Sequence, residues 1–176
     1  MRLFPILIST VLAITVSSCS SSSSRSAKRA KNPLYPFGET AQFVSGKRAV
    51  APRNAPPQVK GMIAAGNRIA GKRYRMGGGH RSFEDSSYDC SGAVSYVLHG
   101  GGYLESPDPS SALRHFGEPG PGRWVTVYAK HDHSFIEVAG LRYDTSDGRG
   151  TRGSGPLWRA GSRSYKGFEA RHPPGL

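Results

Sequence analysis

Cys90 and His133 are the residues whose types and settings point most directly to chemistry. Tyr88-Asp89-Cys90-Ser91-Gly92 reads as the start of a helix. Asp89 is a good N-cap, and Ala93, Val94, Val97 and Leu98 give the residues that follow an apolar face. A thiol in a first helical turn sits among unpaired N–H groups at the positive end of the dipole, and both favour the thiolate. The backbone N–H of Cys90 is then placed to face a developing oxyanion. Gly92 leaves space beside the sulfur for a substrate backbone. The competing reading is a buried, inert cysteine, since free cysteine is among the most buried residue types.

A partner favours the reactive reading. His131-Asp132-His133 precedes an apolar strand over 134–138, and a histidine at a strand mouth can present its ring to a neighbouring helix terminus. The next strand, 141–145, carries Asp144, and a tight turn at Ala139-Gly140 brings it beside His133. A carboxylate there fixes the imidazole's tautomer and stabilises its charged form; the alternative is an ordinary strand-end carboxylate. His131 remains open as the base, although alternation favours His133. Cys90, His131, His133 and Asp144 are also zinc-ligand types. No second cysteine and no His-Glu-x-x-His pattern accompanies them, so no metal and no cofactor is expected. His80, His99, His115 and His172 read as surface or helix-end side chains, and Trp124 and Trp158 as core or rim aromatics.

These residues resemble the NlpC/P60 peptidases, papain-like cell-wall enzymes with a cysteine, a histidine and a third polar residue. Asp89-Cys90-Ser91-Gly92 is followed about forty residues later by His133, and Gly71-Lys72-Arg73-Tyr74-Arg75-Met76-Gly77-Gly78 supplies the family's tyrosine and glycine pair upstream. The likeness runs from about residue 57 to 146. It implies Cys90 as nucleophile, His133 as base and Asp144 in the third, orienting position. Tyr74 would approach the oxyanion or substrate, while Asp89 and Ser91 would shape the substrate cleft. It also implies a peptidoglycan stem peptide as the substrate. Ser134-Phe135 after the histidine, an aspartate at the third position and Glu137 within the strand depart from the family's usual pattern. Two rivals keep the same cleft: a wall-binding or assembly lipoprotein without turnover, and acyl transfer to an amine in place of water.

The elements that must hold these residues form one domain over 57–176, an ordinary size for a single core. Val59, Met62, Ile63, Gly66, Ile69 and Ala70 recur at helical spacing over 57–70, with Gly71 as the stop. A second helix begins at Asp89 or Cys90 and ends at Gly100-Gly101-Gly102, and a short turn of helix falls at 110–116. Strands follow at 124–128, 134–138 and 141–145; 147–161 reads as glycine-rich loop and 165–171 as a last strand. Helices first and strands after imply an α+β class. The resemblance refines this to a papain-like domain with N-terminal helices packed on a mostly antiparallel sheet.

The chain ahead of that domain is of another kind. Arg2 and an apolar stretch over 3–16 form an export signal too short for a comfortable membrane span. Val16-Ser17-Ser18-Cys19 closes it like a lipobox, predicting a signal peptide over 1–18 and acylation of the Cys19 thiol. Lipidation of Cys19 leaves Cys90 without a disulfide partner. Residues 19–56 read as a basic tether, with Leu34-Tyr35-Pro36-Phe37 and Phe43-Val44 as apolar islands able to dock as an arm. Its flexible coil would span roughly 30–40 Å. Residues 19–60 carry a positive surplus of seven within a net charge of +12. Export excludes nucleic acid as the partner of this charge; anionic headgroups or the acidic wall suit it better. The expected product is a monomer in the cell envelope, lipid-anchored to a bacterial membrane on its periplasmic side.

Overall fold

In a computed structural model, which describes residues 40–147, 152–161 and 163–176, the chain enters the fold as a hairpin of β1 (Gln42–Ser45) and β2 (Arg48–Val50). Ala41 and Ala49 are buried, and the Ala41 N–H donates to the carbonyl of Ala139. Residues 41–55, assigned to the tether by composition, therefore belong to the folded part. Small alanines dock the arm, while Phe43 and Val44 stay exposed. Leu34 to Phe37 and Cys19 lie outside the described residues.

Helix α1 (Pro57–Ile69) begins with proline at its first turn, where a missing N–H costs nothing. Its buried residues Val59, Met62, Ile63, Gly66 and Ile69 keep the three- and four-residue spacing of one apolar face. Gly71, at φ +85°, ends the element in a conformation that suits glycine. Two short parallel strands, β3 (Arg73–Tyr74) and β4 (Ser87–Tyr88), lead into α2 (Cys90–Gly100). Helices α1 and α2 pack at backbone distance: a Cβ on Gly61 would stand 2.2 Å from the carbonyl oxygen of Gly100. A single turn, α3 (Ser110–Leu113), follows.

The rest is sheet. Strands β5 (Glu118–Pro119), β6 (Val125–Lys130), β7 (His133–Val138), β8 (Leu141–Ser146), β9 (Arg152–Arg159) and β10 (Glu169–His172) form one antiparallel sheet, in the order β5-β10-β6-β7-β8-β9. The class is α+β, with helices on one face. Alternation sorts the side chains. Val125, Val127, Ala129, Ile136, Val138, Leu141, Tyr143 and Trp158 join the core under the helices. His133, Phe135, Glu137, Arg142 and Asp144 belong to the opposite side, where Tyr128 stacks on Phe135, Tyr165 tilts against it and Phe168 meets it edge-on. Full burial of an aromatic ring such as Phe135 contributes about 1.5–3 kcal/mol.

Strand β9 corrects the expectation of loop over 147–161. Gly153, Gly155 and Pro156 depress strand propensity, but β9 is the sheet's edge, where proline's missing donor is harmless. Trp158 anchors it. The indole is fully buried, and its Nε1–H donates to Asn67 Oδ1 at 2.8 Å. Asn67 also exchanges two hydrogen bonds with the backbone of Ala49, so one amide ties the arm, α1 and β9 together.

Candidate active site

Cys90 is the first residue of α2, and Asp89 is its N-cap, accepting from the Gly92 N–H at 2.9 Å. The same carboxylate accepts from the Gly77 N–H at 2.9 Å and meets His80 Nε2 at 2.9 Å. Ser91 Oγ donates to it at 3.2 Å and lies 3.1 Å from His80 Nε2. Burial alone would push the Asp89 carboxyl up; the His80 contact and the two backbone donors hold it below its usual value. Asp89 and Ser91 are thus buried in a network that fastens the glycine loop to the helix start. His80, read from sequence as a surface side chain, is part of that network.

The space foreseen beside Gly92 is taken. A Cβ there would stand 2.2 Å from the Gly78 carbonyl oxygen, so the glycine admits the Gly77–Gly79 loop rather than a substrate backbone. The loop comes this close because the Asp89 N–H donates to Gly78 O at 3.1 Å.

His133 is the first residue of β7, reached through the exposed turn at His131-Asp132. Its ring, not that of His131, is the group that draws the Cys90 thiol towards its charged form. Ser110 Oγ lies 3.8 Å from the sulfur, with Ser134 Oγ 3.3 Å beyond, and the Ser134 backbone N–H also favours the thiolate. Burial would raise the thiol's pKa, but the hydrogen bond and charge of His133, with these two donors, hold it below the ordinary thiol value.

Asp144 completes the line. Its Oδ1 lies 3.0 Å from His133 Nε2, which leaves Nδ1 as the ring atom for the sulfur, and it also accepts from the Ser146 N–H at 2.9 Å. Burial pulls the imidazole down, yet Asp144 and Cys90 together raise it to about 8. Asp144 itself, although buried, is held below the usual carboxylate range by His133, the Ser146 N–H and Arg163. Two guanidinium groups occupy its other oxygen: Arg142 Nη1 at 2.8 Å and Arg163 Nη1 at 2.6 Å from Oδ2. Arg142 shares a face with Asp144 by strand alternation, a signal present in the sequence but not used. Arg163 comes from beyond β9 and carries no local signal.

Tyr74 lines a small open pocket with Met76, Asp132, His133, Thr145 and Ser146, with about 260 Å³ of free space including its mouth. Cys90 is not among its lining residues and is itself 8% exposed. Glu137, odd in sequence, is buried on the Asp144 side, where the Tyr165 hydroxyl donates to it at 2.6 Å and burial raises its pKa. Among the described residues, no group of three or more histidine, cysteine or acidic side chains is placed to hold a metal.

The arrangement can form a thiolate, hold an imidazolium against it and keep that imidazolium oriented by a buried carboxylate. Compared with known proteins, the chain matches no family model and no curated protein.

Proposed function

We propose that this chain is a cysteine hydrolase of the bacterial envelope, papain-like in architecture and akin to the NlpC/P60 peptidases, which cuts an amide bond in peptidoglycan stem peptides. One observation carries the reading: a thiol at a helix N-terminus is drawn towards its charged form by an imidazole that a buried carboxylate holds at 3.0 Å. A cysteine that merely filled the core would need neither partner.

In this mechanism the Cys90 thiolate attacks the amide carbonyl carbon, and the carbonyl π pair moves onto oxygen. His133, protonated, gives its proton to the leaving amine as the C–N bond breaks. Neutral His133 then takes a proton from water, whose oxygen attacks the thioester carbonyl; the C–S bond breaks and the thiolate returns to the imidazolium. Asp144 keeps the ring aligned through both halves. Tyr74, which lines the pocket together with His133, would meet the substrate. Asp89 and Ser91 act at one remove, by setting the helix start. The stem-peptide substrate rests on likeness to the family.

The test uses the full chain and its Cys90→Ala variant with peptidoglycan fragments, the products being read by mass spectrometry. Cysteine-dependent loss of stem-peptide mass supports hydrolysis. Binding by both forms with cleavage by neither leaves a wall-binding module in its place, and an amine adduct indicates transfer. The proposed lipid anchor has its own test: Cys19→Ser should move the chain from the membrane to the soluble fraction.

A further inference from the structure

Arg163 occupies a place that no simple structural need explains. Its guanidinium lies over the rings of Phe135 at 4.7 Å and Phe168 at 5.0 Å, from ring centroid to Cζ. Its Nη1 is 2.6 Å from Asp144 Oδ2, 3.2 Å from Ser146 Oγ and 3.0 Å from His133 Nε2. Arg142 already answers the carboxylate, so Asp144 carries one negative charge against two guanidinium groups. The Arg163 side chain is only 13% exposed, and its Nε has no hydrogen-bond partner among the described residues. Burying a second cation beside one carboxylate carries a desolvation cost that a shared anion only partly offsets.

The contact with His133 defines that action. An N–H of Arg163 can donate to Nε2 only when that nitrogen carries no proton. Asp144 Oδ1, at 3.0 Å from the same nitrogen, can accept from it only when it does. The two bonds exclude each other. The Arg163 bond belongs to the neutral tautomer with its proton on Nδ1; the Asp144 bond belongs to the imidazolium and to the neutral tautomer with its proton on Nε2. Arg163 therefore stabilises the Nδ1–H neutral ring by donation and disfavours the charged ring by proximity, while Asp144 holds the Nε2–H forms and favours the charged ring by its own charge.

We propose that Arg163 is a positioning residue of the dyad that competes with Asp144 for His133 Nε2, and so sets the pH at which the imidazolium facing Cys90 is lost. The role in catalysis rests on the hydrolase reading above; the competition for the ring does not. Other charged groups facing His133 are accounted for. Cys90 approaches from α2, and Asp144 and Arg142 from β8. Lys130 of β6 and Asp132 of the turn pair with each other at 3.1 Å, and Glu137, further along β7, is engaged by Tyr165. His131 is exposed in the turn. Asp144 keeps its place without Arg163, because Arg142 holds Oδ2 and the Ser146 N–H holds Oδ1. Removing Arg163 should thus raise the midpoint of His133 rather than lower it.

The experiment is a pH titration of the histidine ring signals of the full chain by NMR, with His133 assigned by its disappearance in His133→Gln. Arg163→Met keeps an apolar stem over the two phenyl rings and removes charge and donor; Arg163→Lys keeps the charge. The midpoint in Arg163→Met should rise by about one pH unit, and Arg163→Lys should stay nearer the parent. If Arg163→Met does not fold, Arg163→Gln replaces it and the same upward shift is expected. An unmoved or lowered midpoint, or equal shifts with Met and Lys, overturns the proposal. So does failure of both neutral variants to fold, which assigns Arg163 to structure alone. Turnover reads the separate question. A raised midpoint in a chain without turnover supports the role of Arg163 and removes the hydrolase reading. Turnover with an unmoved midpoint removes only the role of Arg163.

Discussion

Arg142 and Asp144 stand two positions apart on one face of β8, with Nη1 2.8 Å from Oδ2 and both residues at 5% exposure or less. The guanidinium is opposite Glu137 in the register of β7 and β8, so charge runs along this face of the sheet from Glu137 through Arg142 to Asp144 and His133. The site is anchored in buried ion pairing on one side and in a helix terminus on the other.

Asp144→Ala should therefore damage the fold as well as the site. It leaves Arg142 buried without its carboxylate, and breaking a buried pair from one side costs about 3–5 kcal/mol. Urea unfolding at neutral pH measures this, and a loss of less than about 1 kcal/mol would contradict the buried-pair account. The carboxyl is held below its usual value in the folded chain. Its contribution is thus complete above about pH 4 and lost as pH falls through the lower folded value. Acid unfolding of the parent should show that loss, and Asp144→Asn should lack it.

The reactive window of Cys90 should be displaced in both directions. The thiol is held below its ordinary value, so alkylation should set in at a pH where free cysteine is still protonated. His133 is raised from 6.5 to about 8, so the imidazolium persists as pH passes 6.5 and is lost only near 8. Turnover should accordingly fall on the alkaline side of pH 8. A rate that climbs steadily from pH 7 to 10 would exclude an imidazolium as the acid.

Ser110 supports the sulfur by a hydroxyl contact at 3.8 Å, relayed to Ser134. Removing one such contact is worth about 1 kcal/mol, or roughly fivefold. Ser110→Ala should slow alkylation of Cys90 at pH 6 by about that factor, with stability within about 1 kcal/mol of the parent. An unchanged rate would show that the hydroxyl serves packing only.

Gly92→Ala probes the seam between the glycine loop and α2. The added methyl meets backbone at 2.2 Å, and neither the Gly78 carbonyl nor the helix can yield without moving Asp89. Overpacking of this kind costs about 1–3 kcal/mol. Circular dichroism should show a lowered Tm and alkylation a slower Cys90; a variant equal to the parent in both would mean the loop is readily displaced.

The elements with strong local signals were legible in the sequence. The spacing of Val59, Met62, Ile63 and Ile69 gave α1 within a residue, and Asp89 with the triple glycine bounded α2. Cys90, His133 and Asp144 could be named because the nucleophile has a helix cap and the other two stand on neighbouring strands. Elements set by distant contacts escaped notice. Strand β9 contains glycines and a proline, and its place in the sheet depends on Trp158 reaching Asn67, ninety-one positions away. The arm is held through Ala41 and Ala49, residues too small to register as a hydrophobic pattern. Arg163 reaches Asp144 across nineteen positions from a stretch without periodicity. The reading of Gly92 erred because a glycine tells only that something comes close, not what.

The alternation of β7 has one further implication. Ser134 turns under the helices to Ser110, while His133 turns to Asp144, and the thiol is reached from the strand's first position. The pairing of Lys130 with His133 across a two-residue turn fixes which of them faces which way. One residue inserted or deleted at His131-Asp132 would slide β7 by a step and exchange its two faces, turning the imidazole from the carboxylate and setting the Glu137 side chain against the apolar core. Substitutions at the exposed His131 can be absorbed; a change in the turn's length cannot. Among relatives that still carry the dyad, the residue at the His131 position should drift while the turn's residue count does not.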